Sequence, residues 1–157
     1  MKVDGVTGDK EDWDTADEYV YENYNGWMKE LNVSSPAERC ISAPTVIGGK
    51  TIFSTFAPND DPCGSGGNSY MHSLSYKSGI PYKNIVIQSE GAYDESSNEV
   101  KGKASIGKGV PAPGQSIVTK QVGDTTKAYV QLSTGEIQQI DLDTDAPPYK
   151  SLFWIEK

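Results

Sequence analysis

Two neighbouring segments of strand-like composition, joined by a glycine-rich loop, constrain the fold of this chain most strongly. Residues 50–57 are rich in Thr, Ile and Phe, residue types that suit a pleated, half-buried surface. Residues 68–76 alternate, with Tyr70, His72 and Leu74 on one face and mainly serines on the other. The pair predicts two antiparallel strands connected by a long loop, and it indicates an all-β chain.

Strand-like segments continue at short intervals along the chain. We predict strands at residues 41–47, 50–57, 69–76, 83–88, 115–122, 126–132, 136–141 and 150–155. Sixteen glycines and nine prolines suit many short strands joined by turns. Residues 89–114 contain few apolar residues, so we predict a long loop there and expect it to contribute to binding.

The acidity of the chain is concentrated in its first part. Residues 1–22 carry eight acids and two lysines, a net charge of −6, whereas the remainder carries −2. We expect an acidic lead over residues 1–25, with a short helix or turn near residues 12–24, followed by a β domain over residues 26–157. A solvated tail is the favoured interpretation of the lead, and a cation-binding segment is the alternative. Nucleic-acid binding is not expected, because it requires a basic surface.

The chain has two cysteines, Cys40 and Cys63. A disulfide between them would suit an oxidising, extracytoplasmic location. Strand pairing around the turn at residues 48–49 would place Cys40 opposite Ala57, so the following loop would have to fold back to bring Cys63 within reach. Metal binding by both cysteines and His72 is a weaker alternative, since no C-x-x-C pair is present.

An acidic pattern near the C-terminal end is a candidate metal site. Asp141, Asp143 and Asp145 have the D-x-D-x-D opening of a calcium loop. The glycine and the glutamate that such a loop needs at its sixth and twelfth positions are missing. An acidic turn after a strand is therefore the favoured interpretation.

A second polar group lies in the loop between the first two strands. Asn59, Asp60 and Asp61 place several side-chain oxygens close together, and Asn68 ends the same loop. We interpret these four as candidate binding-loop residues. For Asn59, Asp60 and Asp61, bonding of the side chains to the turn backbone is the favoured interpretation, and a cation site is the alternative.

Residue types that carry enzymatic chemistry are not arranged in any catalytic motif. His72 is the one histidine of the chain, and within an alternating strand it is expected to be a half-buried packing residue. No Ser/His/Asp pattern or pair of acid/base carboxylates is recognisable. We therefore expect no catalytic residues and a non-enzymatic chain. An aromatic group near the start is interpreted as core, with a glycan-contacting platform as the alternative: Trp13, Tyr19, Tyr21, Tyr24 and Trp27.

From residue 26 onward, short motifs follow one another in a specific order. They are Gly26-Trp27, Glu38-Arg39, Gly48-Gly49, Ile52-Phe53-Ser54-Thr55, Pro58-Asn59-Asp60-Asp61-Pro62-Cys63, Gly66-Gly67-Asn68-Ser69-Tyr70, Gly109-Val110-Pro111, Ala128-Tyr129-Val130-Gln131-Leu132-Ser133-Thr134-Gly135 and Ser151-Leu152-Phe153-Trp154. This series resembles the C-terminal β-propeller of the PilC/PilY family, the large proteins of type IV pilus assembly and tip adhesion.

The resemblance implies part of a β-propeller. Eight predicted strands make about two four-stranded blades, whereas a complete propeller has roughly four to eight. We therefore expect either a missing remainder, supplied by the rest of a PilY-like protein or by a partner chain, or an open sheet or sandwich. Members of the family bind calcium through an acidic loop of this general kind. That motif is not matched residue by residue here, so calcium is carried as a candidate cofactor only.

The resemblance also implies a function. It is a binding and scaffold role in type IV pilus biogenesis and surface adhesion, on or near the pilus tip, with minor pilins and a host or abiotic surface as partners. An extracellular, pilus-associated location follows, and because no signal peptide or membrane span is visible, the export signal is expected outside this chain. The alternatives are a fragment of a quinoprotein-like propeller enzyme and a secreted β-rich subunit that completes a partner protein.

Overall fold

Short antiparallel strands make up most of the structure, with one helix ahead of them. The computed structural model describes residues 10–31, 37–60, 66–82, 84–89, 93–94, 99–112, 118–122 and 125–143. Its elements are α1 (Lys10–Asn23), β1 (Arg39–Cys40), β2 (Thr45–Ile47), β3 (Lys50–Pro58), β4 (Gly67–Ser75), β5 (Ile87–Gln88), β6 (Tyr93–Asp94), β7 (Glu99–Val100), β8 (Lys103–Lys108), β9 (Val118–Val122), β10 (Thr125–Gln131) and β11 (Ile137–Leu142). Within these residues, no helix is long and apolar enough to cross a membrane.

The first sheet is centred on the hairpin of β3 and β4. These strands pair over nine positions, from Lys50 opposite Ser75 to Pro58 opposite Gly67. The strand order is β1-β3-β4-β8, with β2 also pairing with β3, and every pairing is antiparallel.

The second sheet has the order β5-β11-β10-β9 and is also antiparallel. Its centre is the hairpin of β10 and β11, which turns at residues 133–136. The short strands β6 and β7 pair with each other in a separate ribbon.

One apolar core joins the two main sheets. Alternate residues of each strand face inward, as the period of two requires. The first sheet supplies Ile47, Ile52, Met71, Ala104 and Ile106, and the second supplies Ile87, Ala128, Val130, Leu132, Ile140 and Leu142. Both sheets therefore contribute to one core, and burial of these side chains is the main apolar contribution to stability.

The prediction of an all-β chain with antiparallel strands is confirmed. Seven of the predicted strands correspond to described strands, and the one at residues 150–155 lies outside the described residues. The described sheets do not close on each other, so the propeller arrangement stays a prediction.

The prediction of a continuous loop over residues 89–114 is wrong. Residues 93–94 and 99–100 form the ribbon of β6 and β7, and β8 joins the first sheet beside β4. Only Ala104 and Ile106 point into the core from β8, which is why its low apolar content resembled that of a loop.

The acidic lead forms a helix that is attached to the first sheet. The Asp17 carboxylate of α1 accepts hydrogen bonds from the hydroxyls of Ser75 and Ser78 at the end of β4, and Val20 on the same helix face is buried. A wholly solvated tail is therefore the wrong description at these positions.

The expectation of an aromatic core is wrong for three tyrosines, two in α1 and one just after it. Tyr19, Tyr21 and Tyr24 are between 42% and 60% exposed. Trp27, in contrast, packs against Gly79 and donates its indole N–H to the carbonyl of Tyr76 at 2.9 Å. The side chain of Trp13 lies outside the described part of the chain.

Candidate binding surface at the hairpin ends

Loops from both main sheets meet at one end of the molecule. We call this surface the hairpin platform and define it by residues 59–60, 66–68, 108–112 and 133–136. It combines the end of the β3–β4 hairpin, the end of β8 and the turn between β10 and β11. Its exposed side chains carry both charge signs and several uncharged polar groups: Asn59, Asp60, Asn68, Lys108, Ser133, Thr134 and Glu136.

The segment after β8 links the two hairpins. On one side, the N–H of Gly109 donates to the carbonyl of Gly67 at 3.2 Å, and the Ser69 hydroxyl donates to the carbonyl of Gly109. On the other side, the N–H of Val110 donates to Oγ of Ser133 at 2.9 Å, and the N–H of Ser133 donates to the carbonyl of Val110 at 2.8 Å. The platform therefore has a fixed backbone beneath its exposed side chains.

Gly109 is the residue that permits this close approach. Its φ is +105°, and a Cβ there would lie 2.9 Å from the methyl carbon of Thr134. A side chain would disfavour both the backbone conformation and the packing of the segment on the turn.

Three of the four predicted binding-loop residues lie on the hairpin platform. Asn59 and Asp60 are exposed at the end of β3, where the N–H of Asn59 donates to the carbonyl of Gly66 at 3.1 Å. Asn68 is exposed on β4 and pairs with Lys108 of β8. Asp61 lies outside the described residues. The structure thus brings Asn59, Asp60 and Asn68 to one surface, and their binding role stays a prediction.

The predicted metal ligands lie in the second sheet, with Asp141 in β11 and Asp143 just after it. Asp141 accepts a hydrogen bond from Nζ of Lys127 at 2.7 Å across β10 and β11, and the N–H of Asp143 donates to the carbonyl of Val86 at 2.8 Å. Asp145 lies outside the described part of the chain. Within that part, no group of three or more His, Cys, Asp or Glu side chains is arranged to hold a metal ion.

The predicted disulfide involves one residue that the structure places and one that it does not. Cys40 is exposed, with Sγ 3.6 Å from the carbonyl oxygen of Ser42. It pairs with Thr55, two positions from the expected partner Ala57. Cys63 lies outside the described residues, so pairing of the two cysteines stays a prediction.

A buried polar cluster on the outer face of the first sheet was not foreseen from the sequence. Its centre is Glu38, which precedes β1. Oε1 of Glu38 accepts hydrogen bonds from Nε2 of His72 at 2.8 Å and from the Thr55 hydroxyl, and Oε2 accepts one from Nζ of Lys103 at 2.5 Å. The His72 ring stacks on Phe53 with ring centroids 4.9 Å apart. One carboxylate therefore ties the segment before β1 to β3, β4 and β8.

The electrostatics of this cluster favour an ionised carboxylate beside a neutral imidazole. Burial by itself raises the pKa of Glu38, but hydrogen bonds from His72, Lys103 and Thr55 outweigh it and hold the pKa at about 2. Burial lowers the pKa of His72, although the bond to Glu38 opposes that effect. His72 was expected to be half-buried and is 4% exposed.

The chemistry open to this cluster is limited by its satisfied hydrogen bonds. Glu38 uses both oxygens on donors of the same sheet, and the Thr55 hydroxyl is fully buried. Such an arrangement fixes the position of a chain segment. The sequence signal for it was the alternation of β4, which places His72 on the face opposite the core, although nothing local indicated that Glu38 would reach it.

Comparison with known proteins gives a distant and partial match. A type IV pilus biogenesis factor PilY1 homolog from Xylella fastidiosa is 31% identical over 96 residues, which is 58% of this chain and 6% of the relative. No protein-family model matches the chain, and no solved structure matches it. The chain thus spans only a small part of that relative, and the match supports a distant PilY-like relationship without showing membership of the family.

Proposed function

We propose that this chain is a non-enzymatic binding and scaffold module of a PilY-like protein, acting in type IV pilus biogenesis and surface adhesion. The observation that carries the proposal is the partial similarity to a type IV pilus biogenesis factor. The order of short motifs from Gly26 onward supports the same relationship. On this proposal the chain works outside the cell, on or near the pilus tip.

The hairpin platform is the surface that we propose for contact with a minor pilin or with a host or abiotic surface. Binding residues are commonly held on loops above a rigid scaffold. Here the exposed Asp60 and Asn68 stand above a backbone that is hydrogen-bonded to both sheets through residues 109–112. Mixed charge and amide groups suit a polar, reversible contact.

The test is genetic deletion of this segment in the source organism, with complementation in trans, followed by counts of surface pili and of attached cells. Loss of pili that the segment restores is the expected result for a role in assembly. Normal piliation with reduced attachment would assign the role to adhesion. Normal piliation and normal attachment would contradict the proposal.

The platform is tested separately with the variant carrying Asp60→Ala and Asn68→Ala. We expect it to fold and to reduce piliation or attachment. Glu22→Ala, an exposed change on α1, is the matched control and should have no effect. Equal phenotypes of the two variants would remove the platform from the proposed function.

A further inference from the structure

Among the residues that the structure describes, β5 covers the outer edge of β11 at one end. β5 pairs with this edge at just two positions, Asp141 opposite Gln88 and Leu142 opposite Ile87. Ser89, the next residue, makes a tight turn, since its N–H donates to the carbonyl of Ile87 at 2.9 Å. Among the described residues, no strand continues β5 along the remaining half of β11.

The backbone groups of that half point out of the sheet edge. In an antiparallel pair, hydrogen-bonded and non-hydrogen-bonded positions alternate. The N–H of Leu132 donates to the carbonyl of Glu136 at 2.8 Å, which fixes this alternation for β10 and β11. Gln138 therefore bonds to β10, whereas the N–H and C=O of Ile137 and Gln139 are directed to the uncovered side.

A second strand edge lies across from this one. The N–H of Ser73 donates to the carbonyl of Gly102 at 2.9 Å, so by the same alternation the backbone groups of Ser105 point away from β4. The Ser89 hydroxyl donates to the carbonyl of Ser105 at 3.1 Å, so this outward carbonyl of β8 is reached from the side of β5. The edges of β8 and β11 thus form the two walls of a gap between the main sheets.

The gap is a cleft of about 310 Å³ with an uncharged polar lining. Carboxamides, hydroxyls and backbone line most of it: Gln88, Ser89, Ser105, Gly107, Gln138 and Gln139. Next to the lining residue Gln138, Ile137 is 64% exposed on the open edge of β11. Such a lining favours a partner with uncharged side chains inside the cleft and an apolar side chain beside Ile137.

We propose that this cleft accepts one extended segment of another polypeptide, which adds as an antiparallel strand to the open edge of β11, in line with β5. Strand addition is a common mode of peptide recognition, in which main-chain bonds supply affinity and side-chain pockets supply specificity. A peptide is favoured over a saccharide because the open groups are backbone at strand spacing and the described lining contains no aromatic ring. This inference does not depend on the proposed pilus function.

The test uses the full 157-residue chain and a displayed library of peptides long enough to span the open edge, with the most enriched peptide then made synthetically. We expect it to bind and to slow hydrogen exchange at the amides of Ile137 and Gln139. Gln139→Pro removes an outward N–H and should weaken binding at least about tenfold. Gln121→Pro makes the same change at an outward position of the opposite edge strand, β9, and should leave binding unchanged.

A second pair of variants covers the case in which proline disturbs folding. Ile137→Lys places a charge on the open edge at an already exposed site, and it should weaken binding by a similar factor. Val122→Lys is its control on the exposed end of β9. Circular dichroism and urea unfolding verify that both variants remain folded.

Four outcomes would overturn the proposal. The first is that no peptide is enriched above the level found with an unrelated folded protein. The second is that the enriched peptide binds the Gln139→Pro and Ile137→Lys variants as tightly as it binds the unchanged chain. The third is slow hydrogen exchange at the Ile137 and Gln139 amides of the intact chain without peptide, if this protection is lost in a chain that ends at Asp143. That result would mean that residues 144–157 themselves occupy the open edge. The fourth is binding in a glycan array that Gln139→Ala abolishes, which would assign the cleft to a saccharide.

Discussion

The indole ring of Trp27 lies directly over Gly79, so that a side chain at Gly79 would overlap the ring. Gly79 also has a φ of +72°, in the left-handed region that favours glycine. The contact fixes the segment after α1 against the turn that follows β4, so it joins two parts of the chain that are far apart in sequence.

Gly79→Ala is expected to lower the free energy of unfolding by about 2–3 kcal/mol, because it adds steric overlap with Trp27 to backbone strain. Gly135→Ala is the matched control, since Gly135 has a φ of +86° and an added methyl group there would meet no atom within 4 Å. It should cost only about 1 kcal/mol. Urea unfolding measures both, and equal losses would show that the Trp27 contact is unimportant.

Glu38→Gln is expected to destabilise the fold by about 3 kcal/mol, because it removes the charge that His72, Lys103 and Thr55 all bond to. The exposed Glu136→Gln should stay within about 0.5 kcal/mol of the unchanged chain. Denaturant midpoints of the two variants check this directly. A small effect of Glu38→Gln would mean that the cluster contributes little to stability.

Acidification is expected to destabilise the chain in two steps. The pKa of Glu38 falls from 4.5 to about 2 in the folded state, so its contribution is complete above pH 4.5 and is lost as the pH falls towards 2. The pKa of His72 is lowered from 6.5 by burial, with Lys103 and Lys29 adding to the effect, so stability due to neutral His72 declines below pH 6.5.

Unfolding free energies measured from neutral pH down towards pH 2 check both steps. Glu38→Gln should reduce the pH dependence of the unfolding free energy below pH 4.5. His72→Gln should reduce the decline of the unfolding free energy that begins near pH 6.5. A profile that neither substitution changes would place the acid sensitivity in other groups.

Asp17→Ala is expected to release α1 from the first sheet, since the carboxylate is the acceptor for both Ser75 and Ser78. Leaving two buried hydroxyls without this acceptor should cost about 1–3 kcal/mol. Hydrogen exchange of the helix amides should accelerate, while exchange in β10 and β11 should not. Glu18→Ala, exposed on the same helix, is the control, and helix protection equal to that of the control would refute the attachment.

The strands with a strong local pattern could be predicted from the sequence, and the contacts between distant segments could not. β3 and β4 were recognisable because β-branched, aromatic and alternating residues follow one another without interruption. β8 was not, since two small or medium apolar residues between lysines, a serine and a glycine also fit a loop.

The partner of Cys40 was mispredicted because strand pairing from the turn at residues 48–49 does not continue unbroken. The hydroxyl of Ser42 accepts the N–H of Ser54 at 3.0 Å and donates to its carbonyl at 3.1 Å, so a side chain occupies backbone positions of the ladder. This interruption shifts β1 by two positions relative to β2. The reach of Glu38 to His72 and Lys103 depends on the same long-range geometry.

The linkage through residues 109–112 has a mechanical consequence. Hydrogen bonds from this segment run to the β3–β4 hairpin at one end and to the β10–β11 turn at the other. A force applied to either loop is therefore transmitted to both sheets. Neither hairpin can separate from its sheet before the hydrogen bonds of residues 109–112 break. Resistance to tension at this end of the molecule should consequently depend on Gly109 and Ser133 more than on the length of either loop.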